Sequence, residues 1–234
     1  MKCLVIIPAY NEEDSIFSTI QDMENCCSSE DIRYLVINDC STDGTREILE
    51  KHNIPYLDLP INLGIGGGVQ TGYQYALENG YDIAVQFDGD GQHMAAYIED
   101  LIAPIEAEEA DVVIGSRFLV KEGFQSSVFR RFGIRFLSGL IYVLCGLRVK
   151  DVTSGMRAVN RRMIKEFSHN YAQDYPEPEA ILTAGLMNAR VLEVSVQMRE
   201  RQGGRSSINA IRSMYYMIKV STALVINRLT AGKR

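Results

Sequence analysis

The sequence lacks an apolar run long enough to cross a bilayer. A spanning helix needs about 20 apolar residues, whereas the run Phe136–Leu147 has 12. No signal-peptide pattern opens the chain, and no repeat or low-complexity segment interrupts it. These absences predict a globular protein without a transmembrane segment. A length of 234 residues suits one large α/β domain or a domain with an appendage.

Paired cysteines are missing as well. The five cysteines lie at positions 3, 26, 27, 40 and 145, an odd number without CxxC spacing. This pattern argues against a disulfide framework and against a zinc site. It predicts a reducing compartment, which we take to be the cytoplasm.

Basic residues are scarce in the first half of the chain. Residues 1–110 hold 21 acidic and 4 basic residues, a net charge of −17, whereas residues 111–234 hold 9 acidic and 20 basic residues, a net charge of +11. Such a split predicts that the second half meets something anionic. A solvated surface is the alternative, but the basic residues cluster beside apolar runs. We expect no nucleic-acid partner.

Short apolar runs alternate with helical patterns over the first 115 residues. We predict strands near residues 3–7, 35–39, 55–59, 83–87 and 111–115, and helices that begin near Ser15, Thr45, Val69 and Ala95. Strands that alternate with helices form a parallel sheet with right-handed crossovers. The predicted fold class is therefore α/β, with a Rossmann-like, mostly parallel sheet flanked by helices.

Two carboxylates follow the fourth predicted strand, in the segment Asp88-Gly89-Asp90-Gly91-Gln92-His93. Mg²⁺ and Mn²⁺ take oxygen ligands, often carboxylates together with the oxygens of a substrate phosphate. Ligands of open α/β sheets bind at the carboxyl ends of the strands. The pair therefore indicates a metal site for a diphosphate. A plain Asp-Gly turn is the alternative. A calcium loop fits less well, because His93 stands where that loop needs glycine.

A glycine run at residues 64–68 raises the question of a dinucleotide site. It does not give G-x-G-x-x-G directly after the first strand, and no acidic residue follows at the required distance. We therefore reject a nicotinamide or flavin cofactor. Close packing or approach to a phosphate remain as explanations of the glycines.

Two apolar segments in the second half have basic flanks. Residues 121–150 carry six basic and one acidic residue around Phe136–Leu147, and residues 199–234 carry eight basic and one acidic residue around a helical stripe from Ile211 to Leu229. Each segment fits a helix at the membrane interface, with basic side chains reaching the headgroups, or a buried core helix. Both explanations stay open.

Six motifs together resemble those of the family 2 glycosyltransferases of the GT-A fold, and among these the dolichol- and polyprenyl-phosphate sugar synthases. The resemblance covers about residues 3–208. The motifs are Pro8–Glu13, Asn38–Thr45, Asp88–His93, Gly115–Arg117, Asp151–Arg157 and Arg201–Ser206. Three positions depart from the family pattern: Asn38 replaces an aspartate, and Ile65 and Ser207 stand where lysine is common.

The resemblance assigns a role to each candidate site residue. The residues implied for the nucleotide sugar are Pro8, Tyr10, Glu12, Asp39, Asp88, Gly89, Asp90 and Arg201. Those implied for Mg²⁺ or Mn²⁺ are Asp88, Asp90 and Gln92, and those for an acceptor phosphate are Ser116, Arg117 and Arg131. Asp90 and Arg117 are the implied catalytic residues.

The resemblance also implies a domain organisation. We predict a GT-A domain over residues 1–208, with a nucleotide and metal half at 1–117 and an acceptor half at 118–208. An amphipathic helix follows at 209–234.

We predict an inverting transfer of a hexosyl group from a UDP- or GDP-sugar to a polyprenyl phosphate. The enzyme would lie peripherally on the inner face of the membrane, with a small transmembrane protein as a further partner. A lipid phosphate is already anionic and needs cations rather than a base. The first rival is an enzyme that extends a saccharide, with Glu177, Glu179 or Asp151 as general base. The second is a non-enzymatic module that only senses a nucleotide sugar.

Overall fold

The computed structural model describes residues 1–27, 29–119, 128–199 and 210–231. Their strands are β1 (Cys3–Ala9), β2 (Ile32–Asn38), β3 (Tyr56–Asp58), β4 (Ile83–Gln86), β5 (Val112–Ser116), β6 (Arg157–Asn160) and β7 (Val191–Ser195). Their helices are α1 (Ile16–Cys26), α2 (Thr45–Lys51), α3 (Gly64–Glu78), α4 (Ile98–Glu106), α5 (Val128–Cys145), α6 (Arg161–His169), α7 (Pro176–Leu186) and α8 (Ala210–Thr230). A short 3₁₀ turn, Ala95–Tyr97, precedes α4.

The strands form one sheet in the order β3-β2-β1-β4-β6-β5-β7. Strand β6 runs antiparallel to its neighbours β4 and β5, and the other pairs are parallel. The predicted α/β class with a mostly parallel sheet is confirmed. All five strands predicted in the first 115 residues are present, with ends that differ by a few residues.

Strand β6 was not predicted from the sequence. It has four residues, so it carries little periodic pattern, and it belongs to the predicted acceptor half although it lies between two strands of the first half. The sheet is therefore continuous across the proposed division at residue 117, and that division stays a prediction. The boundary proposed at residue 208 lies outside the described residues.

Two hydrophobic clusters cover the two faces of the sheet. Along β1 the side chains alternate between them, with Leu4 and Ile6 in one cluster and Val5 and Ile7 in the other. All seven residues of β1 are buried. A parallel strand covered on both faces needs such a continuous apolar run, which explains why the sequence pattern located β1 well.

Helix α3 begins at Gly64, five residues before the predicted start. The run of glycines that hid this start from the sequence pattern serves close packing. A Cβ atom at Gly66 would collide with the carbonyl oxygen of Ala172, and one at Gly67 would collide with the side chain of Leu63. Close packing, one of the two explanations considered for the glycines, is thus what these two positions provide.

Helices α5 and α8 pack against each other and against α7. Helix α5 buries Ile134, Leu137 and Ile141, and α8 buries Val220 and Leu224. None of the described helices is both long and apolar enough to cross a membrane. Each of the two helices therefore has one side that faces the core.

Candidate active site

A cleft of 330 Å³ opens where the parallel strands β1, β2 and β4 end. Their carboxyl ends lie at one edge because the strands are parallel and adjacent. The predicted site residues that line the cleft are Pro8, Tyr10, Glu12, Asp39, Asp88, Gly89 and Asp90. Ala9, Asn62, Gly64, Ile65 and Gly68 complete the lining. The structure thus brings together seven residues that the sequence predicted for the nucleotide sugar.

The loops after β1 and β2 are joined by hydrogen bonds. The backbone N–H of Glu12 donates to Thr45 Oγ1 at 2.9 Å, and Gly44 N–H donates to Glu13 Oε2 at 2.7 Å. Asp43 accepts from Thr45 Oγ1 at 2.6 Å and from Glu13 N–H at 3.1 Å. Burial opposes ionisation of Asp43, but these bonds outweigh it and lower its pKa below the ordinary value. The loops therefore hold one shape around the exposed ring of Tyr10.

Asp39 has a structural task that the sequence did not reveal. Its Oδ1 accepts the N–H of Leu63 at 2.7 Å, and its Oδ2 accepts the N–H of Gly64 at 2.8 Å. The buried carboxylate thus satisfies two free amides at the start of α3. Each oxygen keeps a second lone pair, so the predicted contact with the base stays a prediction, but it is not the only function of this side chain.

The departure at Asn38 has a local explanation. The side chain of Asn38 is buried and donates through Nδ2 to Asp58 Oδ1 at 2.6 Å. An aspartate at this position would place two carboxylates against each other, which is unfavourable. Asn38 pairs with the edge strand β3 and does not line the cleft.

Asp88, Asp90 and Gln92 follow β4 in one short loop. The N–H of Gln92 donates to Asp90 Oδ1 at 3.1 Å, and Gln92 Nε2 lies 3.5 Å from the carbonyl oxygen of Arg199, so Oε1 is the atom left for a metal. No group of three or more His, Cys, Asp or Glu suited to a metal occurs among the described residues. Two carboxylates nevertheless fit Mg²⁺ or Mn²⁺, because diphosphate oxygens and water complete such sites. The oxygen donors present are thus the right kind for these ions.

The carboxylate of Asp88 is surrounded on three sides. The Asp88 N–H donates to Nδ1 of buried His93 at 3.0 Å, and His93 Nε2 lies 3.6 Å from Asp88 Oδ2. On another side, Gln86 Nε2 lies 3.5 Å from Asp88 Oδ1. On the third, a Cβ atom at Gly155 would come within 2.5 Å of Asp88 Oδ2. No role for His93 was inferred from the sequence; in the structure its Nδ1 accepts a hydrogen bond, which leaves the proton on Nε2, toward Asp88.

Arg117 lies just past β5 and is bound to Asp151. Its Nε donates to Asp151 Oδ2 and its Nη2 donates to Asp151 Oδ1, both at 2.7 Å, and Nη2 also donates to Thr153 Oγ1 at 3.0 Å. Asp151 is fully buried. A two-pronged pair of this kind fixes the plane of the guanidinium. Nη1 has a weaker partner: among the described residues it donates to the sulfur of Met198, at 3.9 Å.

The other predicted acceptor residues are placed differently. Ser116 is fully buried, and its Oγ has no hydrogen-bond partner among the described residues. Arg131 is half-buried in the first turns of α5. Its role at the acceptor phosphate stays a prediction. Arg201 lies outside the described residues, as does the rest of its motif.

A buried polar cluster lies beneath the cleft, on the α3 side of the sheet. Tyr171 Oη donates to Gln86 Oε1 at 3.0 Å, and fully buried Arg157 donates to the carbonyl oxygens of Ser154 and Glu177 at 2.8 and 3.4 Å. Burial raises the pKa of the Glu177 carboxyl; the charge of Arg157 opposes that rise, and the negative charge of Asp88 adds to it. Sequence reasoning missed this cluster because its members are scattered over 90 residues.

The three residues considered as a general base differ in their surroundings. Asp151 is enclosed by Arg117, and Glu179 accepts from Asn227 on α8 at 2.5 Å, away from the cleft. Glu177 is half-buried within electrostatic range of Asp88 and Arg117. Of the three, Glu177 alone has a pKa that responds to the charge of Asp88 in the cleft.

A mostly parallel sheet with two carboxylates in a cleft at its carboxyl edge is the arrangement of an α/β enzyme. The chain belongs to glycosyl transferase family 2, whose sequence model matches residues 4–168. The family resemblance inferred from the motifs is thereby confirmed, and the protein is a glycosyltransferase.

Named relatives span most of the chain. The undecaprenyl-phosphate mannosyltransferase of Micrococcus luteus is 27% identical over 219 residues, which cover 89% of this chain and 88% of that protein. The UDP-N-acetylglucosamine–dolichyl-phosphate N-acetylglucosaminyltransferase of Methanococcus voltae is 30% identical over 213 residues, which cover 82% of this chain and 84% of that protein.

Solved structures are similar as well. Glucosyl-3-phosphoglycerate synthase from Mycobacterium tuberculosis, in complex with phosphoglyceric acid, matches with a TM-score of 0.75 at 18% identity, over 97% of this chain and 79% of that one. The same enzyme with Mn²⁺, UDP and phosphoglyceric acid matches with a TM-score of 0.69 at 17% identity, over 97% and 78%. The predicted GT-A fold is thereby confirmed.

Proposed function

We propose that this glycosyltransferase moves a hexosyl group from a UDP- or GDP-sugar to a polyprenyl phosphate, with inversion, at the cytoplasmic face of the membrane. One observation carries the proposal. The loop over residues 151–157 touches both Asp88 in the donor cleft, through Gly155, and the guanidinium of Arg117, through Asp151. A cation suited to a phosphate therefore stands one loop away from the carboxylates suited to a metal and a diphosphate.

The donor end of the cleft has the chemistry of a nucleotide site. Tyr10 offers an aromatic face to a base, and the carboxylates of Glu12 and Asp39 accept hydrogen bonds from base N–H groups and ribose hydroxyls. A Mg²⁺ or Mn²⁺ ion held by Asp88 and Asp90 would neutralise charge on the leaving diphosphate. The cleft residues bind and orient the donor so that its anomeric carbon faces the acceptor.

The acceptor end favours a nucleophile that is already ionised. A lipid monophosphate needs a cation to position it and no base to activate it. Arg117 provides the cation, held in a fixed plane by Asp151, with Nη1 bound only to the weak acceptor sulfur of Met198 among the described residues. The printed names of the Micrococcus luteus and Methanococcus voltae relatives, an undecaprenyl-phosphate and a dolichyl-phosphate transferase, support this class of acceptor.

The surface of α5 and α8 supports a membrane location. The apolar side chains exposed on these two helices are Phe132, Phe136, Tyr142, Val143, Ile218, Val225, Ile226 and Leu229. The described members of the predicted stripe on α8, Ile218, Thr222, Val225 and Leu229, are all exposed, whereas Val220 and Leu224 form its core side. This favours the interface explanation, because a core stripe would be covered.

Charge on the same surface suits anionic headgroups. Arg135 on α5, and Arg148 and Lys150 just after it, are exposed. Each such residue near an anionic leaflet contributes about 1 kcal/mol of attraction. A small transmembrane protein that holds the enzyme, or that takes over its product, fits an enzyme attached in this way.

The saccharide-extending enzyme stays as a second candidate because of Glu177. A sugar hydroxyl must lose a proton on attack, and the raised pKa of the Glu177 carboxyl, which burial causes and the negative charge of Asp88 increases, supports a role for it as the base. This candidate would act in the synthesis of a cell-surface polysaccharide.

The two candidate functions differ in the product that a radiolabelled sugar enters. Purified protein is incubated with a radiolabelled UDP- or GDP-sugar, Mn²⁺ and undecaprenyl phosphate, and the mixture is extracted with organic solvent. The proposal predicts label in the organic phase that depends on the added lipid phosphate. Label that enters only a water-soluble saccharide acceptor would support the second candidate, and donor binding without turnover on either acceptor would leave a nucleotide-sugar sensor.

A further inference from the structure

Arg117 is held by a chain of contacts that reaches the edge of the sheet. Asp151 receives three donors from Arg117: the backbone N–H at 3.1 Å, Nε at 2.7 Å and Nη2 at 2.7 Å. With Thr153 Oγ1 at 3.4 Å from Oδ1 as well, both oxygens of Asp151 are occupied. A buried carboxylate so fully used has no lone pair to spare for a substrate proton, so its contribution is to place the guanidinium.

The position of Asp151 is itself fixed from β7. Glu193 Oε1 accepts the N–H of Asp151 at 2.9 Å, and Glu193 Oε2 accepts the N–H of Lys150 at 2.9 Å. One carboxylate thus holds two consecutive amides at the start of the loop over residues 151–157. Glu193 lies opposite Ile114 in the parallel pairing of β5 with β7, three residues before Arg117, so it is anchored to the same strand that carries the arginine.

We infer that Asp151 and Glu193 are positioning residues for the acceptor anion, acting through Arg117. Glu193 fixes the backbone of Asp151, and Asp151 fixes the plane of the guanidinium. The edge that remains for a phosphate is Nη1, whose described partner is a thioether, a weak acceptor. The arginine side chain is 14% exposed, so part of it is accessible although Asp151 and Thr153 hold the guanidinium.

This inference rests on the proposed function, since it assigns the anion at Arg117 to the phosphate of a lipid acceptor. It differs from that proposal in the residues it involves. Glu193 touches neither the cleft nor Arg117, so a change at Glu193 reaches the acceptor only through the chain of contacts described above.

The test is Glu193→Gln, with Glu78→Gln as the matched control on the exposed end of α3. The side-chain oxygen of glutamine can accept a hydrogen bond from one of the two N–H groups, whereas its NH₂ group is itself a donor and repels the other N–H. We expect KM for a short-chain polyprenyl phosphate to rise about ten-fold, because one charged hydrogen bond is lost. The affinity for the nucleoside diphosphate, measured by calorimetry, should stay at the wild-type value, as should the melting temperature within a few degrees. Glu78→Gln should change neither constant.

A second measurement does not depend on the acceptor. In ¹⁵N NMR spectra the Arg117 Nε–H signal, assigned by its loss in Arg117→Lys, should exchange slowly with solvent in wild type and faster in Glu193→Gln. Unchanged exchange, or an unchanged acceptor KM in an active enzyme, would overturn the inference. If wild type fails to glycosylate any lipid phosphate, the proposed function and the acceptor assignment fall together, while the exchange rates still decide whether Glu193 positions Arg117.

Discussion

Gly155→Ala tests the link between the loop over residues 151–157 and the proposed metal site. The backbone at Gly155 is not in the left-handed region, so alanine can adopt it without strain. The three heavy atoms nearest to an added Cβ all belong to the carboxyl group of Asp88, with Oδ2 at 2.5 Å and Oδ1 at 3.1 Å. The new methyl group therefore meets the end of one side chain, and that side chain is the proposed metal ligand.

The size of the effect follows from these distances. To reach an ordinary contact, Asp88 Oδ2 has to move by roughly 0.7 Å or more from its place. A misplacement of about 1 Å at a reacting centre costs on the order of a hundred-fold in rate. We therefore expect kcat/KM to fall by about two decades in Gly155→Ala, and Mn²⁺ to bind more weakly, while the fold is kept because only a side-chain end moves.

The assay compares Gly155→Ala with Gly139→Ala. Gly139 is an exposed residue of α5, and a Cβ there meets nothing within 4 Å. Both variants are measured for sugar transfer over a range of Mn²⁺ concentrations, for Mn²⁺ affinity by electron paramagnetic resonance and for melting temperature. The control should be active and slightly more stable, by up to about 1 kcal/mol. If Gly155→Ala keeps activity and Mn²⁺ affinity within about a factor of three, or ~0.7 kcal/mol, the placement of Asp88 in the metal site is wrong.

Three further changes test other parts of the site. Asp39→Asn replaces one oxygen that accepts an α3 amide with a donor group. The free energy of unfolding should therefore fall by about 1–3 kcal/mol, and the affinity for the nucleotide should fall as well. Unchanged unfolding by denaturant would contradict the capping role. The raised pKa of Glu177 means that its stabilisation is present below the ordinary carboxyl pKa and is lost as pH rises through the raised value. Glu177→Gln should therefore stabilise the fold at neutral pH and keep activity on lipid phosphate, whereas loss of all transfer would favour the saccharide-extending enzyme. Ile218→Glu on α8 should reduce flotation with anionic liposomes relative to Ile61→Glu, whose side chain has the same 63% exposure away from α5 and α8; equal flotation of the two would argue against that surface.

The sequence predicted best where a short segment carries its own chemistry. The segment from Asp88 to His93 follows a buried strand, and the structure places its two carboxylates in a cleft at the end of that strand. The apolar run of β1 was equally plain, because both faces of that strand are covered. In both cases the residues that decide the structure are neighbours in sequence.

Prediction was poorer where a partner lies far along the chain. Arg117 could be recognised as a phosphate-binding type, but its pair with Asp151 joins residues 34 positions apart. Asp39 caps a helix that starts 25 residues later, which no local pattern indicates. For α8 the periodicity showed an apolar stripe, yet only packing could show that Val220 and Leu224 face the core, whereas Ile218, Thr222, Val225 and Leu229 of that stripe are exposed.

The charge asymmetry of the sequence acquires a physical meaning in the structure. The acidic first half supplies the loops after β1 and β2, where carboxylates accept hydrogen bonds from backbone amides. It also supplies the two carboxylates after β4 that are proposed to bind the metal. The basic second half supplies Arg117 and the exposed basic residues near α5. In the proposed enzyme the acidic half faces the cytosol and the basic half faces phosphate, as lipid acceptor and as headgroup.

The most direct test of the central claim is the mass of the lipid product. Purified enzyme is incubated with undecaprenyl phosphate, a UDP- or GDP-hexose and Mn²⁺, and the organic extract is analysed by mass spectrometry, in parallel with Asp90→Asn and with EDTA. We predict a new lipid that carries one hexosyl residue on a single phosphate, formed by wild type and absent from the Asp90→Asn and EDTA reactions. A lipid that gains a sugar phosphate, a lipid left unchanged while a soluble saccharide grows, or full product formation by Asp90→Asn would contradict the account.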